Sequence, residues 1–125
     1  YAANMEGVAF LERLAYEFIE DISEEKIHAV YTAGGGSKSD VWLKIRASVL
    51  NVPIYRCKET SGALGAAIIA ASKTFYNSLS EACKNMTSVE EMVTGDAELV
   101  AAYEVQYQKF KRKLMDLGYL ENSLC

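Results

Sequence analysis

Val8, Leu11, Ala15, Phe18 and Ile22 recur at helical spacing, with Glu12, Arg13, Glu17 and Glu20 falling between them. This predicts an amphipathic helix over Ala3–Asp21 with one face to bury. A polar break, Ser23–Lys26, leads into Ile27–Ala33, a β-branched and aromatic run that reads as a buried strand. The strand runs straight into Gly34-Gly35-Gly36-Ser37-Lys38-Ser39-Asp40. Val41, Trp42, Ile45 and Val49 then restore helical spacing and predict a helix over Ser39–Leu50, with Ser37 and Asp40 placed as a cap and its partner. Asn51-Val52-Pro53 stops that helix, and Ile54–Cys57 is a short second strand. Ala63–Ala71 is apolar on every side, as in a helix packed over most of its surface. Ser78 with Glu81 and Ser88 with Glu91 both fit the S-x-x-E capping box, each expected to open a short helix. Val100, Tyr103, Tyr107, Phe110, Leu114 and Leu117 form the stripe of a last helix, with Gly118 as its stop.

Strand, helix and strand in that order make a right-handed βαβ unit and a parallel pair, hence an α/β fold. Two parallel strands are too few to stand alone, so further strands are expected upstream. The chain starts at Tyr1 rather than Met, which fits a piece of something longer. With 125 residues, half of them apolar and 24% charged, one ordered domain is expected. A net charge of −4 argues against a nucleic-acid-coating surface, which needs a clustered basic excess. The apolar run Ala63–Ala71 is too short for a bilayer, and no leader pattern opens the chain, so neither membrane insertion nor secretion is expected. Cys57, Cys83 and Cys125 are widely spaced, which suits a reducing cytoplasm better than a disulfide framework or a zinc site.

The glycine run is the sharpest chemical signal. Three glycines between a strand and a helix N-terminus let the backbone approach a ligand closely, and the helix end favours phosphate. The bland alternative is a structural turn that holds no ligand. A P-loop is excluded, because Ser39 stands where the second glycine of G-x-x-x-x-G-K-[ST] belongs. A dinucleotide fingerprint fits at Gly34 and Gly36 but meets Ser39 at its third glycine. Glu59 lies about where a ribose-binding acid would sit, so a small Rossmann-like nucleotide- or phosphate-binding module stays open as an alternative.

The run AGGGSKSDVWLKIRASVLNVPIYRCKETSGALGAAIIAA, residues 33–71, resembles the C-terminal signature of the FGGY carbohydrate kinases. The matching elements are Gly34–Ser39, Trp42, Leu50-Asn51-Val52-Pro53, Glu59 and Ala63–Ala67. Met5–Phe10 resembles the helix before the nucleotide loop, and Tyr103–Leu117 the Tyr-rich terminal helix. Two departures are the Ala47-Ser48 pair where Ala-Asp is frequent, read as one carboxylate fewer at a helix surface, and Ser37 where Ala is commoner.

The resemblance implies part of an actin-like, RNase-H-like ATPase domain, a parallel βαβ unit with packed helices. Residues 1–125 would be the C-terminal part of the nucleotide-binding domain, with the sugar-binding domain and the catalytic base upstream. The implied activity is ATP-dependent phosphorylation of a sugar or polyol hydroxyl, with Mg2+ held by ligands outside this chain, and the chain alone inactive. Gly34, Gly35, Gly36, Ser37, Ser39 and Asp40 would lie against the adenosine and α-phosphate. ATP and a sugar are the implied partners, with neither nucleic acid nor membrane. The unfilled sheet would make the isolated chain a homo-oligomer.

Other residues carry bland expectations. His28 is expected to be a strand histidine rather than a base. Asp21, Glu24 and Glu25 fit a solvated loop, and Lys109, Lys111, Arg112 and Lys113 a solvated face. Trp42 and the tyrosines fall at core spacing, and the cysteines are expected to be buried.

Overall fold

The computed structural model describes residues 2–59 and 61–120, so Cys125 lies outside the described residues. In chain order the elements are α1 (Ala2–Ser23), β1 (Val30–Thr32), a 3-10 turn (Gly35–Lys38), α2 (Asp40–Leu50), β2 (Ile54–Cys57), α3 (Gly62–Thr74), α4 (Leu79–Met86), β3 (Val89–Val93) and α5 (Ala97–Asp116). The sheet order is β1-β2-β3. Strands β1 and β2 run parallel with Val30 opposite Ile54 and Thr32 opposite Arg56, as the βαβ reading requires. Strand β3 is antiparallel to β2, pairs Glu91 with Arg56, and meets a register shift between Arg56 and Cys57.

Helix α2 occupies the centre and is buried on two sides. Leu43 and Ala47 pack with Val30 and Ile54 of the sheet. Ile45 and Val49 pack with Ala9 and Phe10 of α1 and Tyr107 of α5. Of the stripe read from spacing, Ile45 and Val49 are buried, whereas Val41 is 67% exposed and Leu43, outside that stripe, is fully buried. The ring of Phe10 lies 5.6 to 6.1 Å from those of Tyr103, Tyr107 and Phe110, which ties α1 to α5. Burying a side chain of this size contributes roughly 1.5–3 kcal/mol.

Polar ties reinforce the layers. Arg46 is buried; its Nε and Nη2 donate to the Glu12 carboxylate at 2.8 and 2.5 Å, and its Nη1 donates to Thr32 Oγ1 at 2.9 Å. One side chain thus joins α1, α2 and β1. The guanidinium of Arg13 sits 4.0 Å above the Tyr107 ring, and burial pushes that phenol well above its usual range.

Helix ends follow the local chemistry. Asn51 takes a left-handed conformation (φ 53°) and closes α2 before Pro53. Ser78 accepts from the Glu81 amide at 3.1 Å and opens α4 as expected. Gly118, at φ 75°, ends α5, with Tyr119 N–H donating to Leu114 O.

Several expectations are corrected. Helix α1 forms, but it packs Ala9, Phe10 and Leu14 inward and leaves Val8, Leu11 and Ile22 of the expected face at 54%, 54% and 85% exposure. Strand β1 covers only Val30–Thr32, because its one partner among the described residues, β2, offers just that register. His28 is exposed and precedes the strand. Ser88–Glu91 does not open a helix: pairing with β2 overrides the local capping signal and draws Val89–Val93 into the sheet. Helix α3 buries only Ile68, leaving Ile69 61% exposed. Lys111 is not solvated with its neighbours; its side chain is 12% exposed and pairs with Glu17 at 3.1 Å. Ser48 lies at 1% exposure, not at a helix surface, and accepts from the Asp96 amide at 3.3 Å. The thiols of Cys57 and Cys83 are free in half-buried residues.

Candidate functional site: the glycine loop

The loop leaves the C-terminal end of β1, beside the C-terminal end of parallel β2, where open α/β sheets place their ligand crevices. Gly34 sits at φ 87°, ψ −174°, a conformation closed to side-chain-bearing residues. Its carbonyl accepts from the Ser37 amide at 3.2 Å and from Ser37 Oγ at 2.6 Å. Ser37 is therefore buried and closes the turn from within; it does not cap α2. The cap is Ser39, whose hydroxyl accepts from the Trp42 amide at 3.3 Å. Gly35 and Gly36 begin the 3-10 turn, so their N–H groups have no acceptor within it. A Cβ at Gly35 would meet open space, and one at Gly36 would lie 3.4 Å from the indole of Trp42.

Two clefts flank the loop. One, of about 450 Å³, is lined by Asn4, Met5, Val8, Gly35, Gly36, Ser39 and Trp42, none of them charged. The other, of about 310 Å³, is lined by Gly34, Gly35, Ser37, Lys38, Arg56, Cys57, Lys58 and Glu90, three cations against one carboxylate. Of the six loop residues expected at the site, Gly34, Gly35, Gly36, Ser37 and Ser39 border these clefts, whereas Asp40 borders neither and lines a separate groove. Gly35 borders both clefts, Gly36 and Ser39 the neutral one, Gly34 and Ser37 the charged one. The Asp40 side chain is 80% exposed at the start of α2 and accepts from Arg56 Nη1 at 2.8 Å. Glu59 is exposed and lines neither cleft. A larger groove of about 640 Å³ lies between α2 and β3, with Val41, Met92 and Leu99 in its walls, and the glycines do not reach it.

The profile described as the FGGY family of carbohydrate kinases, C-terminal domain, matches residues 1–74. The chain belongs to the FGGY family. It is 28% identical over 111 residues to a xylulose kinase of Bacillus subtilis, covering 87% of this chain and 22% of that enzyme. To a glycerol kinase of Caldanaerobacter subterraneus it is 35% identical over 86 residues, which are 66% of this chain and 17% of that enzyme. Among crystal structures, the xylulose kinase from Rhodospirillum rubrum superposes with a TM-score of 0.78 at 25% identity, over 91% of this chain and 23% of that one. One described as a xyloylose kinase, from Brucella ovis, gives a TM-score of 0.75 at 28% identity over 94% of this chain and 24% of that one. The chain spans a quarter or less of the length of these FGGY proteins. Its mixed α/β arrangement belongs to the actin-like ATPase fold of the FGGY sugar kinases.

Arg56 was not among the sequence candidates, yet it bounds the charged cleft and touches the loop. Its signal was available only in hindsight: a cation two residues beyond Ile54, on the same face of β2.

Proposed function

We propose that this chain is the C-terminal part of the nucleotide-binding domain of an ATP-dependent sugar kinase and carries its nucleotide loop. The observation that carries the reading is the pair of clefts meeting at Gly35: a neutral one walled by Trp42 and Met5, and a charged one that holds Lys38 and Lys58, with Arg56 in its wall already paired with acids. A purine with its ribose suits the first, and phosphate oxygens suit the second. Gly35 and Gly36 offer backbone N–H groups at the junction, and the dipole of α2 favours negative charge beyond Ser39. This chain's share of the reaction is therefore binding and orienting the nucleotide, the positioning on which phosphoryl transfer chiefly depends.

Mg2+ accompanies the nucleotide in this reading and neutralises phosphate charge during transfer. Among the described residues no three His, Cys, Asp or Glu side chains converge on a metal position. We assign it no ligand here. The acceptor is a sugar or polyol hydroxyl, and its pocket and general base belong to a longer polypeptide. Open apolar surface supports that division: Leu11 and Ile22 of α1, Tyr31 of the sheet, and Ile69 of α3 all await cover. No described helix is long and apolar enough to cross a membrane.

The test is a coupled assay of ADP release by the full-length protein against pentuloses, hexuloses, glycerol and aldonates. Sugar-dependent turnover with at least one acceptor is expected. Absence of turnover with every acceptor, together with no affinity for an ATP analogue, overturns the reading.

A further inference from the structure

Arg56 is the last residue of β2 before the register shift at Cys57. Ile54, two residues earlier, is fully buried against α2, and strand alternation aims Arg56 toward that helix too. Its side chain is only 17% exposed, whereas its acidic partners Asp40, Glu90 and Glu91 are 80%, 56% and 45% exposed. Nη1 donates to the Ser37 carbonyl at 3.2 Å and to Asp40 Oδ1 at 2.8 Å. Nη2 pairs with Glu91, its cross-strand neighbour. Nε is buried without a hydrogen bond, and Glu90 lies 3.6 Å from it. One rigid guanidinium fork therefore ties the 3-10 turn, the first residue of α2 and the edge strand β3 together.

We propose that Arg56 is a positioning residue for the nucleotide loop, an inference that rests on the nucleotide-binding reading above. Two effects act together. Holding the Ser37 carbonyl fixes the turn that presents the amides of Gly35 and Gly36. Pairing with Asp40, Glu90 and Glu91 neutralises Glu90 in the wall of the charged cleft and two further acids beside it. Without Arg56, Glu90 in the cleft wall and Asp40 and Glu91 just outside it lose their counter-charge, leaving Lys38 and Lys58 as the cations of the lining, and like charge repels the phosphates.

The substitution Arg56→Gln in the full-length protein separates this role from simple folding support. The expected result is an increase of about tenfold or more in Kd and KM for ATP, with KM for the sugar unchanged. Arg56→Lys keeps the charge and the buried stem but replaces the fork by a point charge, so it should recover only part of the loss. Adding Asp40→Asn to Arg56→Gln should restore several-fold of the nucleotide affinity by removing a repelling carboxylate. Raising the salt concentration should narrow the gap between Arg56→Gln and the unsubstituted protein, since exposed charges are screened. A structural prop would show neither the rescue nor the salt effect. Arg56→Gln with unaltered nucleotide affinity overturns the proposal while leaving nucleotide binding intact. So does an equal loss of nucleotide and sugar affinity that Asp40→Asn does not relieve. An unsubstituted protein that binds no ATP analogue overturns both readings together.

Discussion

Replacing Glu12 by Gln strikes the best-buried ion pair that joins the layers. Arg46 has a side chain 9% exposed and directs two of its donors, Nε and Nη2, at the Glu12 carboxylate, which is 19% exposed. Its third donor, Nη1, goes to Thr32 Oγ1, and its guanidinium lies 5.7 Å from the Trp42 ring, so little of it reaches water. Glu12→Gln keeps the shape, removes the counter-charge and turns an amide group toward the guanidinium. Breaking a buried pair from one side costs roughly 3–5 kcal/mol, and the partial exposure of Glu12 places this case near or below the lower end, about 2–3 kcal/mol. That is a large share of the roughly 5–15 kcal/mol that holds a small domain together. Lys26 and Glu20 make the contrasting pair, with Lys26 71% exposed, and Lys26→Ala should leave stability unchanged. Glu12→Leu combined with Arg46→Met should recover most of the loss, because an apolar pair carries no desolvation cost. Urea unfolding followed by circular dichroism reads all of these as shifts in midpoint at constant m. If Glu12→Gln costs less than about 0.5 kcal/mol, the pair is solvated and the reasoning fails.

Gly95→Ala should destabilise by about 1–3 kcal/mol in the same assay, since an added Cβ would lie 2.9 Å from the Ala47 carbonyl oxygen and from Val100 Cγ2. Light scattering on the isolated chain should show self-association through an apolar interface larger than the roughly 800 Å² of incidental contacts, driven by the open faces of α1, α3 and the sheet. A monomer at high concentration would contradict it. Residues 1–125 alone should show no sugar-dependent ATP turnover, because an aligned acceptor and a general base are required together. Turnover by the purified chain would refute the division of labour argued above.

Local patterns predicted the elements well where local chemistry decides them. The glycine loop, the Asn51-Val52-Pro53 stop, the Ser78 cap and the Gly118 terminus all lie within a few residues of their causes. The partners of each face were not readable in the same way. Helix α1 carries two apolar faces; spacing selected Val8, Leu11 and Ile22, whereas α2 and α5 pack against Ala9 and Phe10. Periodicity shows that a face wants cover but not what covers it. Strand β3 was hidden for the opposite reason, because the Ser88–Glu91 box is a valid local signal that the sheet overrode from thirty-odd residues away. The glycine turn itself was legible because its cause is local. The cap falls on Ser39 rather than on the expected Ser37, since which hydroxyl caps a helix depends on where a 3-10 turn ends. Arg46 and Arg56 act across α1, α2 and the sheet, and no spacing along the chain reports such a meeting.

Calorimetric titration of a non-hydrolysable ATP analogue into the full-length protein, unsubstituted and with Gly36→Val, tests most directly the claim that the glycine loop cradles nucleotide. The Cβ at this position would touch Trp42 at 3.4 Å, and the branched methyls would enter the neutral cleft between the loop and α1. The account predicts nucleotide affinity weakened by about 2 kcal/mol or more, close to thirtyfold, with sugar affinity intact. Equal nucleotide affinity for the two proteins would contradict it, leaving the glycines as a turn that joins β1 to α2 and nothing more.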